Sequence, residues 1–315
     1  MKRRQFFPRL AGLALAMPSS GWLGLSRAAV AQPVRGVYAL ELEGALVGPV
    51  SAVSGGDVAG EVVVEKQGPD GMRHKHLAGY RVEPMSVEVN PPMAKSGYAW
   101  LKSSFEPNAK PARRSGAIVA FDATGRAVTR REFRDALITE VEFPACDAAS
   151  KDAAAIRVTF LPEMVTLAAP KAGTAAPAAS RVPHLLSSSF RLSIQGLEAA
   201  TARAARVEAM AIRIATASAG RTGVDIPNLV VTIPETSAKP MYDWHRDFVL
   251  ANKSAQERVG LLEYLTPDRK SALLALNLFN LGVVKVAPEA PGPGDRVALT
   301  RIEMYCEAVT ADFKA

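Results

Sequence analysis

The residues best suited to chemistry are two histidines in the first half of the chain. His74 and His76 form an H-x-H pair, which on a strand places both imidazoles on one face, as a zinc site requires. Arg73 and Lys75 surround the pair with positive charge, and the sequence shows no cluster that would supply a third ligand. The pattern therefore favours a solvated basic hairpin tip over a metal site.

A further histidine, His245, lies two positions from Asp243 and two from Asp247. Residues two apart on a helix do not share a face, so these side chains do not converge as a catalytic group does. The sequence also contains no Gly-rich phosphate loop, nucleophile elbow or HExxH motif. We therefore predict no catalytic, cofactor-binding or metal-binding residues, and a protein that is not an enzyme.

One pattern of aromatic residues occurs twice. The segments Gly97 to Asn108 and Met241 to Asn252 each place a Tyr, a Trp and an Asn at the same internal spacing, 144 positions apart. The offset persists at Val87/Val231, Tyr98/Tyr242, Trp100/Trp244, Asn108/Asn252, Arg114/Arg258, Arg157/Arg301, Glu163/Glu307 and Val165/Val309. Upstream, Tyr38 to Gly44 matches Phe190 to Gly196 in a shifted register. A period this long indicates two copies of a whole domain and not a solenoid.

The two tryptophans, Trp100 and Trp244, fall at helical spacing with Leu101, Phe105 and Phe248. This spacing predicts one amphipathic helix in each copy, with the tryptophan as a core anchor. Stacking on a ligand is the alternative role for these rings.

The matched acids Glu163 and Glu307 lie near the matched arginines Arg157 and Arg301. A ring contact, a salt bridge with these arginines and a simple surface charge all remain open for them.

The formal net charge of +7 is concentrated at the N-terminus. Residues 1–31 contain five basic residues and no acidic one, which leaves about +2 for the rest of the chain. Nucleic-acid binding needs a basic patch together with a recognisable reading element, and neither is evident. We therefore predict no readout of a nucleic-acid sequence.

Residues 1–31 have the pattern of an export signal. An apolar segment from Leu10 to Met17 follows the charged start, and Ala29 to Ala31 supplies a small-residue cleavage site. Arg3 to Phe7 is similar to the twin-arginine motif. Pro18 to Gly21 interrupts the apolar run short of the ~20 residues that a membrane span needs. We therefore predict a periplasmic or extracellular protein without a membrane span once the signal is removed.

The two cysteines, Cys146 and Cys306, are not at equivalent positions of the two copies. Export to an oxidising compartment would permit a disulfide between them, whereas two buried or free thiols are the alternative.

Apolar and polar residues alternate over most of the remaining chain, which predicts strands. In the first copy these are 37–42, 61–65, 84–89, 117–121, 131–143 and 155–160, with a turn at 66–71 and a helix over 93–105. In the second copy they are 190–194, 207–214, 229–233, 259–265, 271–286 and 297–309, with a helix over 237–251. Thr236 or Ser237 is the predicted N-cap of that helix, with Pro240 in its first turn.

The pattern as a whole predicts a mainly β protein with two tandem β-barrel or sandwich domains, each with one amphipathic α-helix. The domains are residues 32–165 and 190–315. Residues 166–189 are rich in Ala, Pro and Ser and predict a linker.

This order of parts resembles the tail-tube protein family of long-tailed phages, whose relatives include the tube of type VI secretion and the inner tubes of other contractile injection systems. The segments that resemble the family are 79–89, 97–101, 117–125 and 133–136, and less closely 228–233 with Trp244. The resemblance implies a β-barrel-like sandwich with an outer helix, which assembles edge to edge into rings that stack as a hollow tube.

The implied function is that of a structural, non-enzymatic tail tube-like protein that associates with itself, with other tail or injection-system components as further partners. If a ring needs six such domains, three two-domain chains would close it. The alternative is an exported binding or adhesion module with the same fold. The long hairpin 61–80 discriminates between the two, because stacking rings need it and a soluble binder does not.

Overall fold

The computed structural model describes residues 37–171, 173–174, 176–177, 185–216, 222–251, 257–290 and 297–314. The predicted signal peptide, residues 1–31, lies outside the described residues. All described strands and helices belong to the unit Arg35–Ala315.

The first half of the chain is built almost entirely from strands. They are β1 Val37–Leu42, β2 Ala45–Gly55, β3 Val58–Val64, β4 Lys75–Val82, β5 Met85–Val89, β6 Arg114–Phe121, β7 Ala127–Phe143, β8 Cys146–Asp147, β9 Ala153–Ala154, β10 Ile156–Leu161, β11 Met164–Ala168 and β12 Leu185–Leu186. Helix α1, Lys95–Phe105, connects β5 to β6.

The second half repeats this order with one additional short helix. Its elements are β13 Phe190–Ile194, α2 Glu198–Thr201, β14 Arg206–Val207, β15 Met210–Thr216, β16 Thr222–Asp225, β17 Leu229–Pro234, α3 Lys239–His245, β18 Arg258–Leu265, β19 Ala272–Glu289, β20 Leu299–Tyr305 and β21 Ala308–Phe313. A 3-10 turn, Glu235–Ser237, precedes α3, and a π-helical turn, Arg246–Leu250, follows it. The prediction of a mainly β fold is confirmed.

The first half forms a closed barrel. Its strands run in the order β10-β5-β2-β1-β6-β7, and a ladder between β7 and β10 closes the circle. Closure gives each of these six strands a hydrogen-bonded neighbour on both sides, except at the end of β7, which runs past the last residue that pairs with β6, Ala136.

The second half forms a barrel that is nearly closed. Its strands run β13-β18-β19-β20-β17-β14, but β14 has only two residues, and no ladder joins it to β13 in the described part of the chain. Strand β8 of the first half pairs with β14 instead, with Cys146 opposite Val207. The first half therefore lines the opening of the second barrel.

The strand registers of the two barrels match. Val87 pairs with Val158 in the first barrel, and Val231 pairs with Ile302 in the second, each 144 positions later. Tyr38 faces Ala120, just as Phe190 faces Tyr264. A slip of one residue would turn every side chain to the opposite face, so equal registers preserve the same inward-facing positions.

The core is continuous between the halves. Trp100 and Trp244 are 2% and 3% exposed, and both belong to one cluster of buried side chains that spans the chain. The Trp100 Nε1 donates to the carbonyl oxygen of Ala112 at 2.9 Å, and the Arg258 guanidinium lies 5.1 Å from the centre of the Trp244 ring. The prediction that both tryptophans are core anchors is confirmed.

Several local predictions differ from the structure. Strand β2 was not among the predicted strands, because Gly48 and Pro49 interrupt its alternation. The predicted N-cap of α3 is wrong, since Ala238 occupies that position without a side-chain hydrogen bond, although Pro240 does lie in the first turn. The segment 297–309 forms two strands separated at Cys306.

Part of the predicted linker 166–189 is structured. Strand β11 extends into it, and Leu185 in β12 is fully buried and pairs with Ala154. Alanine-rich composition alone did not indicate this contact, which depends on a partner strand about 30 residues earlier in the chain.

Candidate functional site

The histidine pair lies at the exposed end of the β3–β4 hairpin. His74 Nε2 is 2.9 Å from Asp70 Oδ2, and His76 Nδ1 is 3.2 Å from Glu65 Oε1. The two imidazoles thus face two different carboxylates and not a shared point. Among the described residues, no group of three or more His, Cys, Asp or Glu side chains is placed to hold a metal ion.

His245 is the last residue of α3, and the neighbouring carboxylates face cations of the same helical segment. Asp243 accepts hydrogen bonds from Lys239 at 2.5 Å and from Arg246 at 3.0 Å, and Asp247 accepts one from Arg246 at 3.3 Å. The Lys239 hydrogen bond lowers the pKa of Asp243. These groups form an exposed ion-pair chain along one helix face.

The matched arginines each make hydrogen bonds to two carboxylates, but only those of Arg157 join neighbouring strands. Arg157 donates to Glu88 at 3.0 Å and to Glu142 at 3.2 Å, which joins β10 to both strands beside it. Arg301 donates to Glu208 at 3.1 Å and to Glu303 at 3.4 Å. These bonds lie on the barrel surface, where each contributes about 0–1 kcal/mol.

The matched acids do not pair with these arginines. Glu163 accepts a hydrogen bond from Arg113 at 2.6 Å, and Glu307 accepts one from Asn280 at 2.6 Å. The salt-bridge alternative with Arg157 and Arg301 is therefore wrong. Glu163 follows the end of β10, and Glu307 follows the end of β20. The chain turns at both places, which brings each carboxylate near a different partner.

Both cysteines are free thiols in the interior. Cys146 is 1% exposed and Cys306 is 7% exposed, and they form no disulfide. Burial raises the pKa of the Cys146 thiol to about 12 and that of the Cys306 thiol to about 11. Thiols with so little thiolate near neutral pH are poor nucleophiles and poor metal ligands.

A cleft of about 510 Å³ lies beside the opening of the second barrel. Phe190 and Leu192 of β13 line one wall, and the connection from α2 to β14 lines the other. Three arginines border it: Arg191, Arg203 and Arg269. Arg191 pairs with Glu263 at 3.2 Å, and Arg269 donates to the carbonyl oxygen of Ser188 at 2.5 Å. The cleft is thus a positively charged surface beside an incomplete barrel.

The β3–β4 hairpin is the most exposed apolar element. Its strands pair only with each other in the described part of the chain. The large apolar side chains on it that are exposed are Val58, Val62, Val63, Val64, Leu77 and Tyr80, with Met72 near the tip. Apolar patches of this kind mark interaction surfaces in soluble proteins.

The corresponding hairpin of the second half, β15–β16, is docked. Strand β15 adds to the edge of β7, with Met210 opposite Phe143 and Arg213 opposite Glu140. Ile212 is fully buried in this junction, and Arg213 Nε lies 3.1 Å from Glu140 Oε2. One copy therefore extends the sheet of the other through a hairpin.

This junction was not predicted from the sequence. The alternation over 207–214 indicated a strand, but its partner, β7, lies about 70 residues away and in the other copy. Both strands contribute ordinary alternating residues, so no local signal distinguishes this pairing from any other.

No protein-family model matches the chain, and no curated protein matches it. Similar solved structures include the sheath-tube complex of an extracellular contractile injection system, PVC, at 18% identity and TM-score 0.37, over 45% of this chain and 95% of that chain. The tube terminating cap of the anti-feeding prophage is similar at 18% identity and TM-score 0.37, over 48% and 100%. Hcp1 from Flavobacterium johnsoniae is similar at 15% identity and TM-score 0.30, over 42% and 96%.

At these identities the likeness concerns the fold and carries nothing about activity or partners. In the described part of the chain, no helix has both the length and the apolar character needed to cross a membrane.

Proposed function

We propose that this chain is a structural, non-enzymatic protein that associates with copies of itself into rings or a tube. The observation that supports this best is the β3–β4 hairpin, which exposes apolar side chains while its counterpart β15–β16 is docked on a sheet edge. An isolated two-stranded hairpin is marginally stable in water, so a partner surface would stabilise it.

The two copies in one chain fit this function. Each ring position needs one barrel, and we propose that a ring contains six barrels. Three chains would then close one ring. Export through the twin-arginine route, and contacts with other components of a tail or injection system, belong to the same proposal.

Electron microscopy tests the proposal directly. The chain without residues 1–31 retains the whole unit Arg35–Ala315, and we expect negative-stain images and light scattering over a range of concentrations to show rings or tubes. A variant with a short turn in place of residues 58–82 is the matched control, since the Glu83 N–H donates to the Asp57 carbonyl oxygen across the base of the hairpin, and it should remain folded but dispersed. A wild-type chain that stays monomeric at every concentration would refute the proposal.

The second candidate is an exported binding or adhesion module, and the arginine-lined cleft of the second barrel favours it. An extended acidic segment would suit that cleft, because β13 has an unpaired edge there in the described residues and Arg203 makes no ion pair among them. A monomer that binds an acidic peptide, and loses that binding on Arg203→Glu, would favour this function.

A further inference from the structure

The second half of the chain shows how a hairpin of this fold docks on a neighbouring barrel. The first half has the corresponding hairpin and the second barrel has the corresponding strand edge, but the two do not pair in the described part of the chain. We propose that the β3–β4 hairpin of one molecule adds to the edge of β19 in a second molecule, as β15–β16 adds to β7 within the chain. This inference rests on the proposed self-association and names the two surfaces that produce it.

The docked hairpin defines the residues that meet. Asp225 pairs with Arg213 in the second hairpin, and Arg81, 144 positions before Asp225, pairs with Ala59 in the first. Ala59 is therefore equivalent to Arg213, and Val58 is equivalent to Ile212. Ile212 is 0% exposed, whereas Val58 is 51% exposed. The same position is covered in one copy and open in the other.

The receiving edge is found in the same way. Val141 of β7 pairs with Val158, and Val286 of β19 pairs with Ile302, 144 positions after Val158. Val286 is therefore equivalent to Val141, and Lys285 is equivalent to Glu140.

This edge is open. On the side of β19 away from β20, no described strand pairs with the segment 284–289. Val284 is 45% exposed, and Lys285 and Pro288 are exposed as well. The corresponding segment of β7 is covered by β15. An unpaired edge presents backbone N–H and C=O groups that a further strand can satisfy.

The equivalences fix a register for the intermolecular ladder. Ala59 lies opposite Lys285, Val58 opposite Val286, and Asp57 opposite Ala287. Asp57 is exposed and becomes the diagonal neighbour of Lys285 on the outer face, within reach of a long side chain. The charges complement each other, with the acid on the hairpin and the base on the edge. Within the chain this polarity is reversed, since the hairpin supplies Arg213 and β7 supplies Glu140.

The edge also has features that limit pairing with other strands. Pro288 stands at the position of Phe143, the last residue of the internal ladder, and it has no N–H to donate. Lys285 adds a charge that disfavours apolar partners. A ladder of about three residue pairs remains, so specificity depends on the register and the charge pair.

The proposed contact is heterologous, because the hairpin of one molecule meets the edge of another. Such contacts propagate from molecule to molecule, and they form a ring when the rotation closes. Within that ring every barrel would receive one hairpin, alternately from its own chain and from a neighbour.

A charge swap tests the contact. Lys285→Glu places two acids together and Asp57→Lys two bases, so each is expected to raise the Kd of self-association about tenfold. The double variant restores the opposite charges and should return to within about twofold of wild type. Sedimentation velocity measures this, and equal unfolding midpoints show that the barrels are intact. A double variant weaker than both single variants would overturn the contact.

Cross-linking separates this inference from the proposed function. Ala59→Cys combined with Lys285→Cys should give disulfide-linked dimers and higher species on non-reducing gels, while the buried native thiols stay unreactive. Ala59→Cys with Asp312→Cys, which lies on β21 at the other side of β19, is the matched control and should not cross-link. Rings without the 59–285 cross-link would overturn the contact but leave self-association standing. The absence of any oligomer would overturn both.

Discussion

Arg130 lies at the centre of a buried ionic cluster between β1 and β7. It is 4% exposed, and its guanidinium donates to Glu41 at 2.7 Å and to Glu132 at 2.8 Å. A charge withdrawn from water is tolerated only while its partners remain in place. The cluster therefore makes the first barrel sensitive to a single substitution on its wall.

We expect Arg130→Ala to lower the free energy of unfolding by about 3 kcal/mol, because it leaves Glu41 partly buried without its counter-charge. Urea denaturation measures this change. Arg126→Ala is the control, since Arg126 is 83% exposed on its side chain and lies 4.0 Å from Asp122. A loss below 1 kcal/mol for Arg130→Ala would contradict the prediction.

The thiols predict a loss of stability at high pH. The pKa of Cys146 rises from 9.0 to about 12 in the folded chain, so the unfolded state loses its proton first as the pH passes 9. The unfolded state then binds fewer protons, and the free energy of unfolding falls by about 1.4 kcal/mol per pH unit for this thiol. The loss runs from about pH 9 until the folded thiol also ionises.

Urea denaturation between pH 8 and 11 tests this. Cys146→Ala should remove about 1.4 kcal/mol per pH unit from the slope above about pH 9, whatever its effect on stability at pH 7. Burial, with a smaller effect of Cys146 itself, also raises the pKa of Tyr264, which therefore contributes in the same direction in both proteins. An unchanged slope would show that Cys146 is not held protonated.

At the scale of elements, α1 is fixed to the first barrel by its tryptophan. The Trp100 ring lies 5.3 Å from that of Phe160, and its indole N–H is satisfied by Ala112. The helix also reaches the second half, where Tyr98 stacks on Phe313 at 4.4 Å. One helix thus joins both barrels.

Trp100→Ala is expected to lower the free energy of unfolding by about 3–5 kcal/mol, because it empties a large buried volume and leaves a carbonyl unpaired. A thermal melt followed by circular dichroism measures it. Leu250→Ala is the matched control, since Leu250 is 74% exposed at the end of the other helical segment. A normal melt for Trp100→Ala would instead favour a ligand-stacking role.

Some elements could be predicted from the sequence, and others could not. Strand β5 and helix α1 stand out because period two changes sharply to period 3.6 at Pro91 and Pro92. Strand β14 does not stand out, because a strand of two residues is too short to show alternation. The turn residues predicted the hairpin β3–β4. Its exposure could not be predicted, because it depends on the rest of the described chain, in which no other strand pairs with the hairpin.

At the scale of the whole molecule, the two copies are repeats in sequence yet share one buried cluster. Strand β15 completes an edge of the first half, and β8 lines the opening of the second. Cutting between the copies would expose apolar surface on both sides.

We therefore expect the chain without residues 1–31 to unfold in one cooperative transition, with equal calorimetric and van't Hoff enthalpies for the monomer. Residues 32–189 and 190–315, expressed separately, should each be less stable and prone to associate. Two resolved transitions in scanning calorimetry, matching those of the separate halves, would contradict this expectation.

The sequence by itself determined the β-rich class, the duplication and the absence of recognisable catalytic motifs, because alternation, offset and spacing are properties of residues near one another or at a constant distance. Only the tertiary structure decided which edges are paired, as at β7 and β15, and which are open, as at β19. Backbone hydrogen bonds are the same for every residue pair, so the choice of partner depends on where the chain brings two edges together.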